Sequence, residues 1–224
     1  MWIQDFGGSF QGFIEAFQRR YDNDGTALQL VQMVTDTFPS FRDDHWFEGR
    51  RSQYLTSLSS LFPLPPIAYM RTDSTNRRTV FFWKRAQILV AETWAAFSPS
   101  PDADPHPLFP RGIGQLTMFA DYRVPQILHH LRILSYTPAL VPSLEAHEEF
   151  ASGAREEIAI RAASIIAVER VAAVLRAAGT PTSSVLIDFF LWDLAKRLEV
   201  GKDRIEGIKT QPMLPMHRTR SIWY

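Results

Sequence analysis

The sequence predicts an all-α protein, folded as a single helical domain over residues 1–224. Apolar residues recur at the three- and four-residue spacing of amphipathic helices through most of the chain. We find no sustained alternation of apolar and polar residues, which would indicate strands, and no internal repeat. Hydrophobic residues make up 46% of the chain, as in a protein with a buried core. These patterns predict roughly six to eight helices.

Three helices are predicted in the first half of the chain. The first has apolar residues at helical spacing from Phe10 to Phe17. The second starts at Thr26 and stops at Pro39, which lacks the amide that would continue a helix. The third covers Lys84 to Phe97 and carries one apolar face.

A cluster of charges and then a segment without any period separate the second and third helices. Asp43, Asp44 and His45 carry metal-ligand atoms, but adjacent residues rarely converge on one ion, so we interpret them as a solvated loop. Residues 52–83 combine serines, leucines and prolines with no sustained helical or strand period. A loop of this length is uncommon inside a compact domain.

Three more helices are predicted in the second half, and each follows a recognisable start signal. The start signals are Pro125, Ser152, and either Ser183 or Ser184, and the helices are predicted to end near Tyr136, at Gly179 and near Leu198. The tail after Gly201 is predicted to be irregular.

The composition excludes several classes of protein. The formal net charge is +0, which argues against an extended contact with duplex nucleic acid but not against a small anionic ligand. The chain has 0 cysteines, so disulfides and thiolate metal sites are impossible. No secretory signal and no membrane-spanning apolar run is recognisable. We therefore expect a soluble cytoplasmic protein without a metal or another cofactor.

The most informative stretch is residues 118–126, where an acid precedes a predicted helix. Pro125 disfavours helical geometry at Val124 and suits the first position of a new helix. Asp121 then lies just before a helix N-terminus, where the helix dipole favours a charged carboxylate, the group that stabilises a developing cation. By local pattern alone, an Asp in this place is more often a helix cap, and Phe119 is more often a core residue.

Residues 119–126, with the sequence FADYRVPQ, occur together with three further blocks and a terminal stretch. The other blocks are residues 6–10, 84–94 and 186–193, and the terminal stretch is residues 215–224. In this order they resemble the queuosine salvage proteins, a family of N-glycosylases related in fold to helical DNA glycosylases. The resemblance implies hydrolysis of queuosine 5′-phosphate, which releases the base queuine for salvage into tRNA.

The resemblance also implies roles for individual residues. Asp121 matches the family's nucleophile or transition-state stabiliser, which reverses its interpretation as a simple cap. Phe119, Asp188, Phe189 and Asp193 match residues that hold the base, where rings stack on it and carboxylates accept from its N–H groups. The family often has tyrosine where this chain has Phe189, so a hydroxyl group is missing here.

The spacing of the two later acids leaves an alternative open. Asp188 and Asp193 are five positions apart and therefore lie on different faces of a regular helix. They can touch one ligand only if Asp188 stands at the start of the helix or the helix is distorted. Otherwise they are surface acids of an amphipathic helix.

A 5′-phosphate requires cationic donors, and the matching blocks and helices offer several. The candidate phosphate contacts are Lys84, Arg85, Arg123, Arg161, His217 and Arg218. Each of them is more often a structural ion-pair partner, and Arg161 is placed for a helical i, i+4 pair with Glu157. The implied partner is a small nucleotide, with no membrane and no direct nucleic-acid binding.

The chain departs from the family pattern in two places. The family has a substantial N-terminal portion before the block at residues 6–10, which contributes to the base pocket and is absent here. It also lacks most of the segment between residues 51 and 82, so residues 54–80 are predicted to be a poorly packed insertion, either a surface loop or a translated intron. Two functions therefore remain open: a nucleotide N-glycosylase, and a truncated or mispredicted, catalytically inactive helical fragment or non-catalytic base-binding module.

Overall fold

The structure, a computed structural model, describes residues 2–47, 70–72, 78–97, 106, 108, 112–201 and 207–224. The chain divides into two compact units. The first unit comprises Met1–Arg42 and Trp83–Leu116, and the second comprises Asp43–Phe82 and Thr117–Tyr224. Among the described residues, no helix is both long enough and apolar enough to cross a membrane.

The described part of the first unit is helical. It contains α1 (Trp2–Phe6), α2 (Phe10–Arg20), α3 (Ala27–Thr37) and α4 (Lys84–Ala96), with 3-10 turns at Pro39–Phe41 and Ile113–Gln115. Helix α3 starts with a capping box, in which the Thr26 hydroxyl accepts from the Gln29 amide and the Gln29 side chain accepts from the Thr26 amide. The three helices predicted in this part of the chain are confirmed.

The second unit combines helices with short strands. An antiparallel sheet of order β1-β3-β2 contains β1 (Asp44–Phe47), β2 (Met70–Thr72) and β3 (Arg78–Phe81). The helices are α5 (Arg123–His130), α6 (Val141–Glu145), α7 (Arg155–Ala177) and α8 (Ser184–Glu199). Strands β4 (Glu149–Phe150) and β5 (Arg218–Thr219) pair in parallel.

The prediction of a helical protein is confirmed in its main feature, because most of the described residues lie in helices. The expectation of no strands is wrong, since the described residues include five short ones. Each strand is at most four residues long. An alternating pattern is hard to recognise over so short a stretch, so these strands gave no usable periodic signal.

The two serine start signals had different outcomes. The Ser183 hydroxyl accepts a hydrogen bond from the Leu186 amide at 3.3 Å, so the predicted cap of α8 is confirmed. The predicted cap at Ser152 is wrong. Ala154 occupies the N-cap position of α7, and no side chain caps that helix.

The core of the second unit joins the sheet to α5, α7 and α8. Its buried side chains include Val80, Phe82, Ile127, Ile165 and Leu191. Residues 54–69 and 73–77 of the predicted inserted loop lie outside the described residues. The predicted end of that loop is too late, however, because β3 belongs to the sheet and Val80 is only 4% exposed.

We expect Val80→Ala to lower the free energy of unfolding by about 1–2 kcal/mol, because it removes buried methyl groups from the core. Deletion of residues 54–69, by contrast, is expected to leave the melting temperature unchanged. Denaturant and thermal unfolding of both variants provide the measurement. A Val80→Ala variant as stable as the parent would place β3 outside the core, and a clear loss on deletion would place 54–69 within it.

Candidate active site

Asp121 lies in the turn that leads into α5. It is 7% exposed, and its Oδ1 accepts hydrogen bonds from the amides of Arg123 at 3.0 Å and Val124 at 2.9 Å. The helix therefore begins two residues before Pro125, not at it. The carboxylate satisfies amides that have no partner within the helix, so Asp121 is a cap in its geometry. The same two bonds fix the orientation of its carboxylate.

Three of the predicted base-binding residues lie together beside this turn. Asp188, near the start of α8, accepts a hydrogen bond from the Phe119 amide through Oδ1 at 3.0 Å. Phe119 and Asp188 are both buried. Phe189 is half-buried, and its ring centroid lies 5.9 Å from that of Phe119. These contacts join α8 to the backbone two residues before Asp121.

Asp193 lies apart from this group. Its side chain is 67% exposed, and its Oδ2 is 3.6 Å from Nε of Arg197, an i, i+4 pair on the surface of α8. Because α8 is helical from Ser184–Glu199, residues five positions apart face different directions, as the spacing indicated. The structure does not bring Asp188 and Asp193 together, and base binding by Asp193 stays a prediction.

The candidate phosphate contacts of the second unit differ in exposure. Arg123 opens α5, places Nη1 2.8 Å from Oε2 of Glu199, and lies over the Trp192 ring at 5.7 Å. Arg218 is exposed on β5. His217, in contrast, is buried at 3% exposure. Of these three, Arg123 is also the nearest in sequence to Asp121.

The other two candidates belong to the first unit, where they open α4. Lys84 is buried, and Arg85 is exposed with its guanidinium 5.1 Å from the centroid of the Phe41 ring. Their contact with a phosphate stays a prediction.

A buried ionic network that we did not predict joins α7 to the Asp121 turn. Arg161 donates through Nε to the Ala120 carbonyl at 2.9 Å, and through its other nitrogens to Asp43 and, at 3.2 Å, to Glu157. The predicted Arg161–Glu157 pair is confirmed. Asp43 and Arg161 are both 0% exposed, so the solvated loop expected at Asp43 is wrong and Arg161 is enclosed by protein groups.

Tyr224 extends this network to a second point of the turn. Its hydroxyl donates to Glu157 Oε1 at 2.7 Å and, having one proton, accepts from Nε2 of His217 at 3.0 Å. Its ring stacks on Tyr122, with centroids 6.3 Å apart. Burial, together with the nearby carboxylates of Glu157 and Asp43, raises the pKa of Tyr224 well above its usual range. The hydroxyl therefore remains a donor at neutral pH.

The charges in the network stabilise each other. Burial alone would raise the pKa of the Asp43 carboxyl, but the His45 ring, 3.4 Å away, and the Arg161 guanidinium outweigh it and lower that pKa below 3.8. Burial also opposes the charge on Arg161, yet its contact with Asp43 raises the Arg161 pKa. Breaking such a pair is costly, because the remaining partner becomes an uncompensated buried charge.

The arrangement combines an oriented carboxylate, two aromatic rings and a second buried carboxylate within one unit. An oriented carboxylate in a site with little water can stabilise positive charge that develops on a bound sugar. Among the described residues, no group of three or more metal-ligating side chains is placed to hold an ion.

Comparisons with known proteins point to one family. Residues 68–224 match the family model described as queuosine salvage protein. A relative from Sphaerobacter thermophilus, named queuosine 5′-phosphate N-glycosylase/hydrolase, is 37% identical over 98% of this chain and 52% of its own length. Relatives of the same name from Mus musculus and Schizosaccharomyces pombe are 33% and 32% identical over 99% of this chain, and over 54% and 52% of their own lengths.

The chain spans about half the length of the curated relatives it matches. The family match nevertheless covers well over half of the chain and includes the Asp121 turn, α7, α8 and the terminal stretch. The chain belongs to the queuosine salvage protein family.

Proposed function

We propose that this chain is a nucleotide N-glycosylase that hydrolyses queuosine 5′-phosphate and releases queuine. The observation that carries the proposal is the Asp121 carboxylate, held by two backbone amides in the octamer that resembles the family signature. Relatives named for this activity match nearly the whole chain, which supports the same conclusion.

The reaction breaks the bond between the anomeric carbon of the ribose and a ring nitrogen of the base. As the bond lengthens, the electron pair leaves with the base, and the sugar acquires oxocarbenium character. Asp121 faces this carbon and stabilises its positive charge. Water then adds to the anomeric carbon, and one of its protons is lost, while the base nitrogen gains a proton. The products are queuine and ribose 5-phosphate.

The base is proposed to bind beside Phe119. The rings of Phe119 and Phe189 supply apolar faces for a flat heterocycle, as in other enzymes that bind bases outside a duplex. Asp188 accepts from the Phe119 amide, and a carboxylate has further acceptor sites for N–H groups of the base. Asp193, which lies on the exposed face of α8, is the fourth residue proposed to bind the base.

Arg123 is proposed as the principal contact of the 5′-phosphate. It is adjacent to the turn, at the first position of α5, and its guanidinium can bind a phosphate through two parallel hydrogen bonds. Within the described residues, its buried Nε has no hydrogen-bond acceptor. Lys84, Arg85, His217 and Arg218 remain secondary candidates.

Three broader expectations accompany the proposal. The fold is proposed to be related to the helical DNA glycosylases, with the chain corresponding to part of the family fold. The substrate is a free nucleotide and not tRNA or DNA, and the net charge of +0 is in keeping with this. Since such a nucleotide is intracellular, we expect the protein to act in the cytoplasm.

Asp188→Asn is expected to weaken binding of queuine by about 1.5–3 kcal/mol, the usual value of a hydrogen bond to a charged group. The amide keeps the shape of the side chain and an oxygen for the Phe119 amide, so the fold should persist. Isothermal titration with the free base gives the affinity. Asp193→Asn is the matched variant on the same helix. For either variant, an affinity for queuine equal to that of the parent would remove the substituted residue from the proposed pocket.

The proposed function is tested by incubating the purified chain with queuosine 5′-phosphate and separating the products by chromatography. We expect free queuine and ribose 5-phosphate in equal amounts. The Sphaerobacter thermophilus relative, under the same conditions, shows whether the assay detects the reaction. Cleavage by that relative but not by this chain would overturn the proposal, and binding of queuine without cleavage would identify a base-binding module.

A further inference from the structure

We propose that Arg161 is the positioning residue of this site, acting on Asp121 through the backbone of the turn. Its Nε donates to the Ala120 carbonyl at 2.9 Å, across a sequence separation of 41 residues. That carbonyl belongs to the peptide unit that joins Ala120 to Asp121. A displacement of the guanidinium therefore displaces the peptide from which the Asp121 side chain extends. The inference rests on the proposed role of Asp121 and deepens it.

The guanidinium is itself held on several sides. Asp43 accepts from both Nη atoms, and Glu157 accepts from Nη1 at 3.2 Å. Its planar group lies 3.9 Å from the centroid of the Phe82 ring and 5.3 Å from that of Tyr224. A planar fork bound in this way has little freedom to turn, so it is a rigid anchor for the carbonyl.

The same network reaches the turn on the other side of Asp121. Tyr224 donates to Glu157, which pairs with Arg161, and the Tyr224 ring stacks on Tyr122. The residues immediately before and after Asp121 thus both contact the Arg161 network. The direction of the Asp121 carboxylate depends on α7 through these contacts as well as on its own bonds to α5.

The proposed base-binding contact uses a different attachment. Phe119 is held by Asp188 of α8, and among the described residues no hydrogen bond or ring contact joins Phe119 to Arg161. Loosening the Arg161 network should therefore disturb the reacting carboxylate more than the binding of the base. A displacement of about 1 Å at a reacting group can reduce the rate by about a hundred-fold. A positioning role thus predicts a lower kcat with a largely unchanged KM.

Arg161→Lys tests this role, because lysine keeps the positive charge but cannot serve the Ala120 carbonyl and both carboxylates with one nitrogen. Arg176→Lys is the matched control. Arg176 lies on the same helix, is exposed, and donates to the Thr182 carbonyl at 3.3 Å. For each protein, NMR measures hydrogen exchange of the Arg123 and Val124 amides, with the amides of α8 as an internal reference. Steady-state assays with queuosine 5′-phosphate give kcat and KM.

We expect Arg161→Lys to accelerate exchange of the two amides relative to α8 by about ten-fold or more, as for loss of a charged hydrogen bond. We also expect kcat to fall by about ten- to a hundred-fold with KM little changed. Arg176→Lys should match the parent. Unchanged relative exchange in Arg161→Lys overturns the inference, whatever the activity. Faster exchange in Arg161→Lys, together with a parent chain that shows no cleavage, supports the positioning role and contradicts the proposed function.

The test remains decisive if Arg161→Lys does not fold. Asp43→Asn retains the side-chain shape but removes the charge that holds the guanidinium against the Ala120 carbonyl. The same criterion applies to it: selective acceleration at Arg123 and Val124 supports the inference, and exchange equal to that of the parent overturns it.

Discussion

Asp121→Asn is expected to abolish release of queuine from queuosine 5′-phosphate while leaving binding of the ligand largely intact. An asparagine amide can still accept from the Arg123 and Val124 amides, so the turn should keep its geometry. It cannot offset the positive charge of the transition state. Loss of a stabilising group of this kind lowers kcat by about a hundred-fold or more. Product chromatography gives kcat, and titration calorimetry gives the affinity.

Comparison of Asp121→Asn with Asp121→Ala separates the catalytic role of the residue from its role as a helix cap. Asp121→Ala removes the charge and the cap together, so we expect the same loss of turnover plus a loss of about 1 kcal/mol in the free energy of unfolding. If Asp121→Asn cleaves the nucleotide as fast as the parent, Asp121 is a structural cap and no more.

Arg161→Leu is expected to lower the free energy of unfolding by about 3–5 kcal/mol. The substitution leaves the carboxylates of Asp43 and Glu157 buried without their cation, and removes the donor to the Ala120 carbonyl. Urea denaturation at pH 7 measures the effect. Arg176→Leu, on the exposed side of the same helix, should change stability by less than about 0.5 kcal/mol.

The pH dependence of this loss tests its electrostatic origin. In the parent chain the pKa of Asp43 is lowered on folding, so its contribution is present above pH 3.8 and is lost as the pH falls through the lower folded value. Without Arg161, the pKa of the Asp43 carboxyl should be higher than in the parent, because burial is then opposed by fewer positive partners, so protonation relieves the variant at a higher pH. The stability gap between parent and Arg161→Leu should therefore narrow as the pH falls towards the lowered folded pKa of Asp43 in the parent. A gap independent of pH would attribute the loss to packing alone.

Local signals allowed much of the helical framework to be predicted. The helix start at Thr26, the Ser183 cap and the Arg161–Glu157 pair each depend on signals within four residues of sequence, and all three are confirmed. The start of α5 was displaced by two residues because Pro125 occupies a later position in the first turn than the sequence indicated. Proline is compatible with several positions there, since the first amides of a helix lack partners.

The buried network could not be predicted from such signals. Asp43 and Arg161 are separated by 118 residues, and nothing in the charged stretch around Asp43 shows that it is buried. The contact between Asp188 and the Phe119 amide spans 69 residues. The family resemblance placed both residues of that contact near one ligand. It gave no indication that Asp188 also holds the backbone that leads to Asp121.

A crystal structure of the Asp121→Asn variant with uncleaved queuosine 5′-phosphate tests the central claim most directly. The proposed mechanism predicts that the anomeric carbon lies about 3–3.5 Å from the side chain of residue 121, the separation of a near-attack arrangement. It also predicts the base against the rings of Phe119 and Phe189, with its polar edge towards Asp188. A nucleotide bound with its anomeric carbon remote from residue 121 would contradict the account.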